Sequence, residues 1–252
     1  MSILALQSDL LSGVQHGFMA RPGGHSRGLY EGLNCGVGSH DDPAAVAQNR
    51  ALVAAHFGVP PEALMSLHQV HSTTVVRVAR PGWDGPRPRA DALVTAHPGI
   101  AICALAADCA PLLFADRRAG VVGAAHAGWR GALDGVALAT IAAMEDLGAR
   151  RGDIAVAIGP TISQRAYEVG PDYMDNFLAD DPAHARFFAQ GQGDRLMFDL
   201  PGFLLAQLRT AGVQAAWIGH CTHSDEARFY SYRRATQRGE PDYGRQIAVI
   251  RL

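Results

Sequence analysis

Apolar and polar positions along this chain fall into short apolar runs separated by longer segments with helical spacing. The stretch 41–58, DDPAAVAQNRALVAAHFG, has an acidic start, Pro43 in its first turn and Gly58 as a stop, which predicts a helix. TTVVRVA (73–79) is β-branched and predicts a strand, and the Pro- and Gly-rich 80–89 predicts a surface loop. ADALVT (90–95), IAICALAA (100–107), PLLFAD (111–116) and GVVGAAH (120–126) predict four short strands. A helix is expected over 131–149, a strand at 153–159, a helix at 199–213 ending at Gly212, and strands at 214–219 and 244–252. Neighbouring strands alternating with helical crossovers predict an α+β (mixed α/β) fold, with mixed β-sheets covered by helices in one domain over 1–252.

Composition narrows the function classes. The chain of 252 residues is 48% hydrophobic, enough for a full core, and its formal net charge of −2 points to neither a nucleic-acid nor a membrane partner. The N-terminal segment has no basic region followed by a cleavage pattern, and the most apolar stretch is interrupted by Asp108; a cytoplasmic protein is expected. Four cysteines (Cys35, Cys103, Cys109, Cys221) stand far apart, unlike a disulfide scaffold. All 22 Lys-plus-Arg positions are arginine, which excludes a phosphate loop with its lysine and any lysine Schiff base.

Three apolar runs are interrupted by polar groups: His68, Gln69 and His71 in LMSLHQVHST, Asp108 and Cys109 in LAADCAPLLF, and His126 and Arg130 in GAAHAGWRG. His71, Cys109 and His126 are the ligand types zinc prefers. Their gaps of 38 and 17 residues do not suit a zinc finger but suit a site assembled from separate strand ends, with a fourth position open. Taken alone, a cysteine in an apolar run is usually a small core residue, and a histidine is more often a hydrogen-bonded core or surface residue than a ligand.

The motifs LHQVHS, LAADCAPLLFAD, AAHAGWRG, AIGPTISQRAYEVG and CTHSDEARFYSYRR, in this order, resemble the laccase-domain (YfiH-type) family. The likeness runs from GFMARPGGHSRGLYEGLNCGVGSHDD near the start to GRQIAVI near the end. It implies a metal triad of His71, Cys109 and His126 holding zinc, with copper able to replace it in vitro. It also implies phosphorolysis of adenosine, inosine and S-methyl-5′-thioadenosine, and hydrolytic deamination of adenosine. Expected partners are therefore small purine nucleosides and phosphate. Arg21, Ser26 and Asn34 resemble pocket residues of the family. The chain departs from the family pattern at His68, Ser72, Ala20 and Cys35, none of them a ligand in the triad.

On this basis His126 ends its strand so that its ring reaches the metal, and Gly128 and Gly131 permit a tight turn and close backbone approach. The turn brings Arg130 to a helix start, where it is expected either to hold phosphate or to fasten the loop to a carboxylate. Trp129 is expected to pack. Gln69 is a candidate for a substrate amide or ribose. Arg233 and Arg234 face a phosphate or are surface charge, and Asp108 and Glu168 are candidates for the general acid. Other expectations are a Cys109–His126 hydrolase acting on peptidoglycan precursors, a binding protein with structural zinc, and a copper phenol oxidase. The last needs about ten histidines with several His-x-His pairs, whereas this chain has 11 histidines and no such pair.

Overall fold

A computed structural model describes residues 3–252. Its centre is a pair of face-packed sheets. One has the order β1 (Ala5–Leu6), β2 (Gln15–Met19), β14 (Gln246–Arg251), β6 (Ala101–Ala106) and β3 (Leu64–Met65). The other runs β13 (Gln214–Trp217), β9 (Ala155–Ile158), β7 (Ala110–Asp116), β8 (Val121–Ala127), β5 (Ala92–Thr95) and β4 (Val75–Arg77). Both are mixed: β7 and β8 pair antiparallel from Ala110↔Ala127 to Asp116↔Val121, while β4–β5, β9–β13 and β3–β6 are parallel.

The apolar strands read as unbroken runs because both faces of each sheet are covered. Along β7, Leu112 and Phe114 face an outer core with α3 (Val136–Glu145) and α5 (Leu200–Thr210), while Leu113 and Ala115 face the core between the sheets. On β14, Ala248 and Ile250 join that central core, and Ile247 and Val249 face a third core under α1 (Pro43–His56). With no side exposed, the polar alternation of a one-sided sheet is lost.

The predicted helices form with the expected stops. Asp42 caps α1 by accepting from the Ala44 N–H at 2.9 Å, and Gly58 follows with φ +63°. Asp199 caps α5, and Gly212 ends it with φ +81°. The helix expected over 131–149 is instead two: α2 (Trp129–Leu133) and α3, separated at Gly135, whose φ of +91° stops the first and starts the second on a new axis. Sequence patterning also left unread β1, β2, α4 (Pro171–Asp180), α6 (Tyr232–Gln237) and a small sheet of β10 (Glu168–Val169), β12 (Leu196–Phe198) and β11 (Phe188–Gln190). No helix among the described residues is long and apolar enough to cross a membrane.

Candidate metal centre

Two adjacent strand ends of the six-stranded sheet and the loop before its edge strand β4 converge. Cys109 directly precedes β7, and His126 lies in the last turn of pairing on β8. His71 stands in the loop before β4. Their ligand atoms all lie within 4.8 Å of one another, the one such histidine, cysteine and carboxylate cluster among the described residues. His126 is buried, Cys109 half-buried and His71 exposed, so the cluster opens on the His71 side. The His71 and His126 rings meet edge-on at 4.8 Å.

Two buried carboxylates build this geometry, one behind each side of the cluster. Asp91, just before β5, is 2% exposed. Its Oδ1 lies 2.9 Å from His126 Nδ1, and since a carboxylate only accepts, Nδ1 carries a proton and Nε2 is the nitrogen that gives up its proton to become a ligand. Its Oδ2 accepts from the backbone N–H of Val70 at 3.1 Å, the N–H of Ser72 at 2.6 Å and the Ser72 hydroxyl at 3.0 Å. It thus grips the backbone on either side of His71. Burial alone would raise the Asp91 carboxyl, but these hydrogen bonds and the His126 charge bring it to about 2. Burial alone would lower His126; the Cys109 and Asp91 charges and hydrogen bonds outweigh it and raise the imidazole to about 9 without metal. His71 is shifted down by burial and by the His126 charge, which leaves it neutral and ready to ligate.

The second carboxylate is Asp108. Oδ1 accepts from the Thr222 hydroxyl at 2.6 Å, and Oδ2 accepts from the Ser231 hydroxyl at 2.9 Å and the Arg233 N–H at 2.6 Å. Its carbonyl accepts from Ile162 N–H and the Thr161 hydroxyl. Three segments are thus pinned to the residue before Cys109, which is a positioning role rather than that of a general acid. His71 (φ +60°) and Asp108 (φ +90°) are the two non-glycine residues with positive φ among those described. Such backbone costs on the order of 1–3 kcal/mol and persists where its surroundings over-determine it, as both carboxylates do here.

Close approach also depends on Gly128. A Cβ there would lie 2.6 Å from His71 Nδ1 and 3.1 Å from Cys109 Sγ. Its φ of −73° is ordinary, so the glycine is needed for space alone. Gly131 lies inside α2 with only ordinary contacts, so it carries neither the turn nor the approach expected of it.

Arg130 sits exposed in the first turn of α2, its guanidinium 4.8 Å from the Trp129 ring centroid. No carboxylate partner fastens it among the described residues; its charge reaches His71 instead. At five residues, α2 is too short to offer the helix-terminus anion site foreseen in the sequence. Trp129 packs, with its ring 4.7 Å from Tyr173.

The remaining candidates are engaged elsewhere. Gln69 Nε2 donates to the Leu105 carbonyl and Oε1 accepts from the Leu105 N–H, both at 2.8 Å, which ties the His71 loop to β6. Asn34 Nδ2 donates to the Ser39 hydroxyl and Asp41 Oδ2, and its Oδ1 accepts from the N–H groups of Gly36 and Arg245. The Ser26 hydroxyl donates to Asp41 at 2.6 Å and accepts from Asn49 Nδ2 at 2.9 Å. Arg21 donates to the carbonyls of Glu31 and Glu226 and lies over the Tyr230 ring. None of these bonds reaches the triad. Glu168 is exposed, and its carbonyl accepts from Arg233. Asp91 escaped the sequence pattern; its one signal was an acid at the mouth of a short buried strand, ADALVT.

Similarity to known proteins spans most of the chain. The family model described as multi-copper polyphenol oxidoreductase laccase matches residues 15–252. A Deinococcus radiodurans protein named purine nucleoside phosphorylase is 45% identical over 241 residues, 95% of this chain and 89% of that one. A Streptomyces coelicolor protein with the same activity name is 41% identical over 229 residues, covering 90% and 93%. The crystal structure of a Neisseria meningitidis protein superposes with a TM-score of 0.88 at 35% identity, covering 100% of this chain and 99% of that one. The Bacillus licheniformis hypothetical protein YfiH gives 0.89 at 26% identity, covering 100% and 96%.

Proposed function

The chain belongs to the multi-copper polyphenol oxidoreductase laccase family, and from that premise we propose that it is a zinc-dependent purine nucleoside phosphorylase acting as one domain over 1–252. The observation that carries this is the convergence of His71, Cys109 and His126 on one point beside Arg130, which has no carboxylate partner among the described residues. Relatives named for phosphorolysis support the substrate class.

The donor set fits zinc: one sulfur and two imidazole nitrogens, with the Nε2 of His126 freed by Asp91 and a fourth position left for substrate. When bound, the ion supplies a Lewis acid that polarises a substrate oxygen and orients it. A multicopper phenol oxidase finds less support, because the described residues offer one cluster of three ligands where that chemistry needs several metal sites.

In phosphorolysis, a phosphate oxygen forms a bond to C1′ of the ribose as the C1′–N9 bond breaks, and the purine leaves with the bonding pair and takes up a proton. Arg130 presents its planar fork to the phosphate at the open side of the cluster. The exposed edge beside His71 admits the nucleoside, while the buried His126 and Asp91 close the rear against water. Adenosine, inosine and S-methyl-5′-thioadenosine are the expected substrates. The open fourth position also admits water, which makes hydrolytic deamination of adenosine the expected side reaction.

The test incubates zinc-loaded protein with each nucleoside, with and without phosphate, and resolves the products by chromatography. Phosphate-dependent release of free base with pentose 1-phosphate is expected, with inosine from adenosine reporting deamination. Base release independent of phosphate, or none from fully loaded protein, would overturn the proposal. Alkylation of Cys109 in loaded protein at the rate of a free thiolate would favour the hydrolase instead.

A further inference from the structure

Arg130 stands at one end of a continuous ladder of rings, and a second arginine stands at the other. Arg130 lies over Trp129 at 4.8 Å, and Trp129 is 4.7 Å from Tyr173. Tyr173 is 5.9 Å from Tyr167, their hydroxyls 2.7 Å apart, and Arg233 lies over Tyr167 at 5.5 Å. The ladder begins one residue from Gly128, where an added Cβ would press on His71 and Cys109, and ends on the residue whose N–H holds Asp108, the neighbour of Cys109. The ion pairs of other arginines, such as Arg228–Asp225 and Arg238–Glu226, have no counterpart at Arg130 or Arg233 among the described residues.

The two arginines differ in how they are held. Among the described residues the Arg130 guanidinium has a ring contact with Trp129 and no hydrogen-bond partner. Arg233 is fixed at both ends: its N–H donates to Asp108 Oδ2 at 2.6 Å and its Nη1 donates to the Glu168 carbonyl at 2.7 Å. A guanidinium with one nitrogen anchored and no carboxylate keeps its other donors for an anion. The adjacent Arg234 has no such capacity, since its nitrogens donate to the carbonyls of Thr222, His223 and Phe229 in a buried position.

Resting on the phosphorolysis proposed above, we infer that Arg233 is a second phosphate-binding residue, which brackets the co-substrate from the Cys109 side while Arg130 holds it from the His71 side. Two separated cations suit a dianion better than one, and the anchored member fixes where the phosphate sits.

The test measures binding of inorganic phosphate to zinc-loaded protein by calorimetry, with zinc content and the KM values for phosphate and nucleoside determined on the same samples. The variants are Arg233→Gln, Arg233→Lys and Arg130→Gln. Every Arg233 variant keeps the backbone N–H on Asp108, so the Cys109 loop retains its anchor. Arg233→Gln should weaken phosphate about tenfold or more, the scale of one charge-assisted hydrogen bond, while zinc and nucleoside KM stay within about twofold. Arg233→Lys should recover part of the loss. Wild-type phosphate affinity in Arg233→Gln, equal weakening of phosphate and nucleoside, or loss of zinc would overturn the inference. A wild type that binds phosphate through Arg233 but forms no pentose 1-phosphate would sink phosphorolysis and leave the Arg233 assignment standing. A wild type that binds no phosphate would sink both.

Discussion

The triad and the buried polar network under α1 are built from the same materials and end in opposite states. Both put carboxylates and amides where apolar side chains would pack. Under α1, Asn49 Oδ1 accepts from the His25 N–H, and its Nδ2 donates to the Ser26 hydroxyl and the Asn34 carbonyl. Asn34, Asp41 and Ser26 complete a set in which every side chain meets another part of the chain. Around the triad, Asp91 and Asp108 are satisfied in the same way, but the tips of His71, Cys109 and His126 are left facing one another. A polar cluster that closes on itself specifies the fold; one that closes around unused ligand atoms creates a site.

The largest expected contrast comes from Cys109→Ala against Asn49→Ala. Cys109→Ala should drop activity to that of metal-free protein and abolish stoichiometric zinc, while the melting temperature of the metal-free form hardly moves. Cys103→Ala, six positions away and buried under α1, should keep its zinc and lose about 1 kcal/mol or somewhat more of stability. If Cys103→Ala and Cys109→Ala behave alike by elemental analysis and thermal melting, the division between the two regions is wrong.

Asp91→Asn sharpens the comparison within the site. Its amide nitrogen, turned to His126, would favour the tautomer with a proton on Nε2; turned to Ser72, it would disrupt the grip on the strained His71 loop. Either way zinc affinity should fall about 10–100-fold, measured by competition with a chelator. The visible spectrum of the cobalt-substituted variant should change as well, which a loss of overall stability alone would not produce.

Asn49→Ala should show the reverse profile. Removing a fully buried amide strands the donors and acceptors around it and should cost about 1–3 kcal/mol in denaturant unfolding, with zinc content unchanged. Loss of zinc from this variant would couple the two regions and break the contrast.

The smallest effect is in protons. Without metal, His126 is raised to about 9, so at pH 7 it is protonated, whereas His71, shifted down, is neutral. Zinc must displace the His126 proton, and loading at pH 7 should release about one proton from this residue, with affinity rising up to about pH 9. In the metal-free fold the raised His126 stabilises below its ordinary range near 6.5 and loses that contribution as pH climbs through about 9. Asp91, lowered to about 2, stabilises above its ordinary range and loses its contribution only as pH falls towards 2. Calorimetry of zinc binding in buffers of different ionisation enthalpy reads the proton release directly; none at pH 7 would mean that His126 is already neutral.

Local pattern was enough for most of the strands that carry the site and for α1 and α5, because runs such as PLLFAD and GVVGAAH are apolar up to their last residue and those two helices carry Asp caps and Gly stops, but it ran α2 and α3 together. It marked His71, Cys109 and His126 as polar interruptions of such runs, but only the likeness to the laccase-domain family joined them into one metal site. It could not order the strands. The chain's last strand, β14, lies between β2 and β6, a pairing between distant segments that leaves no local mark. Nor could pattern separate Asn34 and Ser26, whose side chains are bonded internally, from Arg130 and Arg233, whose guanidiniums keep donors without a partner among the described residues. Residue type and spacing set hydrophobic burial and donor chemistry, and those are properties of short stretches. Whether a given donor is already occupied depends on which distant segment arrives beside it, as Asp91 arrives between Val70 and Ser72, and only the folded chain decides that.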